Sequence, residues 1–197
     1  MATYPAPEQD PRAGAERSAR ACRARSPAGA AVLGVLVLLA ACSPALDWRE
    51  VRPAGSQLQL LFPCKPVQQA RRVTLAGQTV RLVLQVCNAG EQTWALAHAD
   101  LGDPTHLGPA LTELLNSAAA NLGAAPGTPQ PLQVAGATPH EASARWRFSG
   151  QLPDGVAVVE EVAVFAYGTR VYQATALGPQ LPPELAQTFM GSLRVVP

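Results

Sequence analysis

EASARWRFSGQLPDGVAVVEEVAVFAY, residues 141–167, is the stretch that decides the fold. Two strand-patterned runs, Glu141–Phe148 and Val156–Tyr167, flank Leu152-Pro153-Asp154-Gly155. Pro-Asp-Gly suits a type I turn closed by a glycine bulge, because proline presets the first turn dihedral and glycine takes the positive φ that follows. In that register Leu152 faces Val156. Trp146 and Phe148 then share a face with Val158, Val162 and Val164, while Arg147 pairs with Glu161 on the opposite face. An even-length loop would mix the arginines with the valines, so the hydrophobic pattern selects the bulge independently of the turn chemistry. Glu160 is the odd member. It stands beside Phe148 on the apolar face, where a carboxylate needs a partner such as Arg145, a raised pKa, or water. The expectation is a water-exposed rim position.

Downstream, Gly168-Thr169 turns the chain into Val171–Leu177 and completes a three-stranded meander. Pro182-Pro183-Glu184 starts a short helix with Leu185, Phe189 and Met190 inward, since proline is tolerated in a first helical turn. Leu193–Val196 adds an edge strand. Upstream lies a second strand cluster. Gln57–Phe62 places Leu58, Leu60 and Phe62 on one face and is stopped by Pro63. Arg71–Leu75, a turn at Ala76-Gly77-Gln78, and Thr79–Cys87 follow. That last strand sets Val80, Leu82, Leu84 and Val86 against Thr79, Arg81 and Gln85. Asn88-Ala89-Gly90 turns again into Thr93–Asp100, which carries Trp94 and Leu96. This half reads as an antiparallel meander with one buried face.

Between the two clusters, Leu107, Leu111, Leu114, Ala118 and Leu122 recur at helical spacing and predict a helix over about 107–122. Asp103-Pro104 and Gly108-Pro109 mark its start, and Gly123 its C-terminal stop. A Pro/Gly-rich loop, Gly123–Pro139, leads to the final meander. The fold class is therefore α+β, an antiparallel sheet packed by one long helix and a C-terminal helix, in a single domain over residues 56–197.

The N-terminus is built differently. Arg12, Arg17, Arg20, Arg23 and Arg25 precede Ala28–Ala41, fourteen residues without a charge. A spanning helix needs about 20 apolar residues, while a signal-peptide core takes about 7–15. The run closes on Leu39-Ala40-Ala41-Cys42, which resembles the lipobox of bacterial lipoproteins. The resemblance implies cleavage between Ala41 and Cys42 and removal of residues 1–41. It also implies acylation of Cys42 with diacylglycerol and palmitate-type chains, which bury about 0.8 kcal/mol per CH₂ in the membrane. Ser43 follows, not the aspartate that in this family often marks inner-membrane retention, so the outer membrane is the expected address. A short uncleaved N-terminal anchor is the alternative. Residues 42–55 then read as a lipidated tether, with Trp48 packing back on the domain or lying at the membrane interface.

Cysteine use follows from that reading. Cys22 leaves with the leader and Cys42 carries lipid, so Cys64 and Cys87 remain. An even pair in an oxidising compartment suggests one disulfide, and two buried free thiols are the alternative. Parity opposes the bond: Cys64 continues the apolar face of its strand, whereas Cys87 lies on the polar face of its own.

The element order resembles the PsbP-like sandwich, also seen in DcrB-like bacterial lipoproteins. The similar features are the opening strand ending at Phe62-Pro63, the helix after a first meander, and a terminal helix with Phe189 leading into Ser192-Leu193. The resemblance implies a non-enzymatic accessory or assembly protein. A cystatin-like or lipocalin-like arrangement is the alternative fold.

Composition excludes more than it assigns. Removing the leader's five arginines and three acids from totals of 15 and 14 leaves ten basic and eleven acidic residues. That net charge of −1 gives no basic patch for nucleic acid. Gly-rich phosphate loops and Gly-x-Ser-x-Gly elbows are absent from the sequence. No cofactor or metal is expected: His98, His106 and His140 have no second ligand at a recurrent spacing. His98 and Asp100 share a strand face. They read as a strand end at the solvent edge, and only a concavity gathering them with a third polar group supports a catalytic role. Glu160 and Glu161 point to opposite faces and form no carboxylate pair. The expected function is that of an envelope lipoprotein whose domain binds or assembles with an envelope protein. A small apolar ligand held between sheet and helix is the second expectation, and a hydrolase-type enzyme the third.

Overall fold

Two antiparallel sheets and two helices make up the protein in this computed structural model, which describes residues 46–125 and 127–196. The strands are β1 (Arg49–Val51), β2 (Leu58–Phe62), β3 (Val67–Leu75), β4 (Gln78–Ala89) and β5 (Gln92–Asp100). Helix α1 (Leu107–Asn121) follows, then β6 (Ala144–Gln151), β7 (Ala157–Tyr167) and β8 (Arg170–Gly178). Helix α2 (Pro183–Gly191) and β9 (Arg194–Val195) close the chain. The two expected meanders join edge to edge, β5 against β8, in a six-stranded sheet of order β3-β4-β5-β8-β7-β6. A second sheet, β1-β2-β9, has β2 at its centre. This is the α+β class read from the sequence.

The β6–β7 hairpin has the register that its turn requires. Trp146 faces Val162, Arg147 faces Glu161, and Phe148 faces Glu160. The Leu152 amide donates to the Val156 carbonyl at 2.9 Å, and Gly155 supplies the bulge with φ of 86°. The Asp154 carboxylate accepts from the Val156 amide and locks the turn.

Helix α1 begins after a single 3-10 turn capped by Asp103, whose side chain accepts from the Thr105 amide. Its C-terminus is a Schellman motif. Gly123 at φ of 59° donates to Ala120, and Ala124 donates to Ala119. The buried stripe is Leu107, Ala110, Leu111, Leu115, Ala118 and Ala119. Leu114, expected inward, is only half-buried, because the stripe drifts toward Leu115 as the helix crosses the sheet. Beyond the helix, the Gly150 backbone passes so close to the Leu122 carbonyl that a Cβ there would lie 2.3 Å from it.

The main correction concerns how many faces are buried. The sheet is covered on both sides, not one. On one side α1 packs over Val162, Val164, Val171, Trp146 and Phe148. On the other, β2 and α2 pack over Trp94, Leu96, Phe165, Tyr172 and Cys87. Strand β4 serves both: Val80 belongs to the first core and Cys87 to the second. The polar parity of β4 is therefore a second inner face at Val83, Gln85 and Cys87, while Thr79 and Arg81 stay exposed beyond its cover. Cys64, leaving β2 over that face, comes to disulfide distance of Cys87, with Cα atoms 5.9 Å apart. The parity objection dissolves once the second layer is present.

The segment expected as a tether also contributes structure. Arg49–Val51 pairs with Leu60–Phe62, and Trp48 packs edge-on against Trp94 with ring centroids 5.6 Å apart. Strand β3 begins at Val67, four residues before the expected Arg71. Cys42, Ala41 and the whole leader lie outside the described residues.

Candidate functional site

The Pro/Gly-rich segment after α1 builds the wall of one concavity. It is stitched across the second face by isolated bridges, Gln130 to Arg145, Ala135 to Arg194 and Thr138 to Ala166. Leu132, Val134 and Ala137 pack into the second core. Beneath this strap lies a cleft of about 590 Å³, whose walls include Leu132, Val134, Phe165 and Leu193 with His140 and Ser143. A smaller cavity of about 330 Å³ shares Ala135, Gly191 and Leu193 with it and is lined by Gln59. Gln59 is 2% exposed, yet neither atom of its amide has a hydrogen-bond partner. The Ser143 hydroxyl is likewise buried and unpartnered. The walls mix apolar side chains with unsatisfied polar groups, a combination found in ligand pockets. The cleft is on the face opposite α1, so it is not the expected space between sheet and long helix; that space is filled by aliphatic side chains.

His140 Nδ1 accepts from the Ala142 amide, and the Ser143 amide donates to the His140 carbonyl. The Ser143 hydroxyl makes no bond to the imidazole, so the two do not form a nucleophile and base. Among the described residues, no three His, Cys, Asp or Glu side chains cluster as a metal site.

A second concavity holds the histidine–aspartate pair singled out in the sequence. About 250 Å³ in volume, it is lined by Ala54, Gly55, Arg81, His98, Asp100 and Arg170. His98 is 5% exposed and is not at a solvent edge; residues 54–55 and the stacked Tyr172 ring, 6.2 Å away, help cover it. Burial, then the Arg170 and Arg81 charges, hold its pKa below the usual histidine value. Asp100 accepts from Thr169 Oγ1 at 2.6 Å, from the Gly102 amide at 3.0 Å, and from Arg170 at 3.0 Å. The Thr169 bond leads in lowering its pKa. With its bonds directed to these donors, Asp100 orients Arg170 and does not orient His98.

The adjacent glutamates take different environments. Glu161, on the second face, is clamped by Arg145 and by Arg147 at 3.0 Å, and Arg147 also reaches the Leu181 carbonyl. Glu160 is 7% exposed on the first face, not at a wet rim, and desolvation pushes its pKa up to about 7. Arg145 has turned to Glu161 on the other side of the sheet and cannot serve it. Sequence parity placed both glutamates correctly, but burial of Gln59 carried no signal, because an isolated glutamine in a strand reads as solvent-facing.

No protein-family model matches the chain, and no curated protein matches it significantly. No helix among the described residues is long and apolar enough to cross a membrane.

Proposed function

We propose that this protein is a bacterial envelope lipoprotein, anchored through acylated Cys42 and facing the periplasm, whose domain is a non-catalytic binding or assembly module with an envelope protein as partner. The observation that carries the reading is the spacing between the lipobox-like Leu39-Ala40-Ala41-Cys42 and the first residues of the domain to pack. Leu46 and Trp48 already lie against the second core. Four residues span at most about 14 Å, so the module works close to the membrane. The outer membrane is the favoured location, since Ser43 is not an aspartate. A Cys64–Cys87 disulfide accords with an oxidising compartment and would constrain the unfolded chain by about 3 kcal/mol. The element order read from the sequence resembles the PsbP-like sandwich, which fits an accessory role.

The test is chemical. Cells given labelled palmitate should yield labelled protein, with a mature N-terminal peptide starting at an acylated Cys42, and Cys42→Ala should abolish both. An unlabelled wild-type chain that still begins upstream of Cys42 would sink the proposal. Non-reducing peptide mapping should link Cys64 to Cys87.

The 590 Å³ cleft favours a second reading, a small amphipathic ligand lying on Phe165 and Leu193 with its polar end toward Ser143 or Gln59. Native mass spectrometry of protein taken from its own membranes should then show a bound small molecule, and substitution of Leu193 by Trp should expel it.

A further inference from the structure

Arginines gather at one end of the second face without enough acid to answer them. Arg72 on β3 stands directly opposite Arg81 on β4, and Asp100 on β5 directly opposite Arg170 on β8. Like charges facing across strands destabilise a sheet unless a counter-charge intervenes. Arg170 is answered by Asp100 and is further fixed by Gln57 Oε1 at 2.6 Å. Asp100 already accepts from three donors. Neither Arg72 nor Arg81 joins an ion pair among the described residues.

The cavity at this end supplies an independent observation. His98 lines it, is 95% buried by its 5% exposure, and its Nε2 has no hydrogen-bond partner. A polar atom buried without a partner is a net cost to the fold. An unpaired guanidinium and the ring of a histidine that carries an unpartnered nitrogen therefore line the same small space. Arginine offers paired, coplanar N–H donors suited to the oxygens of a carboxylate or phosphate. Two unanswered charges, Arg72 and Arg81, distinguish between these: a monocarboxylate leaves one of them unmatched, whereas a phosphomonoester carries close to two negative charges.

We propose that the Arg81–His98–Arg170 cavity binds a phosphomonoester-class dianion, either inorganic phosphate or the headgroup of a phosphomonoester lipid, with Arg81 and a His98 ring N–H donating to its oxygens and Arg72 completing the charge balance. Asp100 acts as the buttress that holds Arg170 in place. The site is separate from the 590 Å³ cleft and does not depend on the anchor.

The experiment titrates the intact chain, solubilised in a maltoside detergent, with inorganic phosphate and separately with short-chain phosphatidic acid. Short-chain phosphatidylcholine and acetate serve as comparators. Phosphate or phosphatidic acid should bind, shift the His98 ring signals in NMR, and lose about tenfold in affinity in Arg81→Gln, the loss of one charge-assisted contact. Arg72→Gln should weaken binding less, and Lys65→Gln not at all. Binding of both probes identifies the anion itself as the determinant; binding of phosphatidic acid alone identifies the lipid headgroup. Arg81 is surface-exposed, so its variant should retain the wild-type melting temperature and keep the comparison clean. The proposal is overturned if neither probe binds, if Arg81→Gln binds as tightly as wild type, if His98 signals do not move, or if acetate or phosphatidylcholine binds equally well.

Discussion

The two faces of the six-stranded sheet are buried by different chemistry. The face under α1 is mainly aliphatic: Leu107, Leu111, Leu115, Val158, Val162, Val164 and Val171, with Trp146 and Phe148 at one side. The face under β2 and α2 is aromatic at its centre. Trp94 meets Phe189 and Trp48, Phe189 meets Phe62, and Phe165 stacks on Tyr172, with centroids 4.9–5.6 Å apart. The buried polar groups divide as unevenly. Ser56, Gln59, Gln85, His98 and Glu161 belong to the aromatic side, and Glu160 alone to the α1 side. Aromatic rings leave angular gaps and carry polar edges, so a layer built from them accommodates cavities and partnered heteroatoms. Aliphatic side chains interdigitate and exclude them. All three concavities lined by residues with unpartnered polar atoms lie on the aromatic side. One face is a close-packed core, and the other carries the concavities.

The comparison predicts how each face responds to damage. The largest effect should come from Phe189→Ala, which removes the ring shared by Phe62 and Trp94 and should cost about 3–5 kcal/mol in urea unfolding. A cost under about 1 kcal/mol would mean the aromatic layer is loosely packed and the two faces are not comparable cores. Next is the lone acid of the dry face. Its folded-state pKa of about 7 lies above the ordinary 4.5. Below pH 4.5 the group is protonated whether folded or unfolded and nothing is lost. Stability then declines as pH rises through 7, by about 3 kcal/mol at about 1.4 kcal/mol per unit. Glu160→Gln should recover that amount at pH 8 and none at pH 4. An unchanged difference at the two pH values would show that the carboxylate is solvated.

Smaller still is Gly150→Ala, where the new Cβ must push the Leu122 carbonyl away from the end of α1. Overpacking of this kind costs about 1–3 kcal/mol, read as a lower melting temperature. The smallest effect belongs to Leu114→Ala, under about 1 kcal/mol because that side chain is half-buried, against about 2–5 kcal/mol for Leu111→Ala on the same helix. Equal costs for the two leucines would restore the stripe read from sequence.

How much was legible follows from which information is local. The β6–β7 hairpin could be read to the residue, because Pro153-Asp154-Gly155 fixes its loop and alternation fixes its register. Helix α1 could be placed by its caps, but not the choice of Leu115 over Leu114, which depends on the angle at which it crosses the sheet. The start of β3 escaped because Gln68, Gln69, Arg71 and Arg72 are polar on both sides, as suits an exposed edge strand. The second buried face escaped for a deeper reason. Periodicity reports that residues alternate, not what covers them, and the cover comes from β2 and α2, distant in sequence. His98 and Cys87 were misread for that single reason. Of the candidate site, the pairing of His98 with Asp100 was visible; Arg81 and Arg170 join it only through strand register.

The small sheet binds the two ends of the domain to one strand: β1 and β9 flank β2. A chain synthesised from its N-terminus can form the β3–β4–β5 meander early, since those contacts are local. Strand β2 has to wait for Arg194 and Val195, far later in the chain, before its second edge is covered. Completion of this sheet therefore marks completion of the domain. A ribosome that stops short of β9 releases a chain whose β2 edge is open, a distinguishing feature by which proteolysis can recognise an unfinished product.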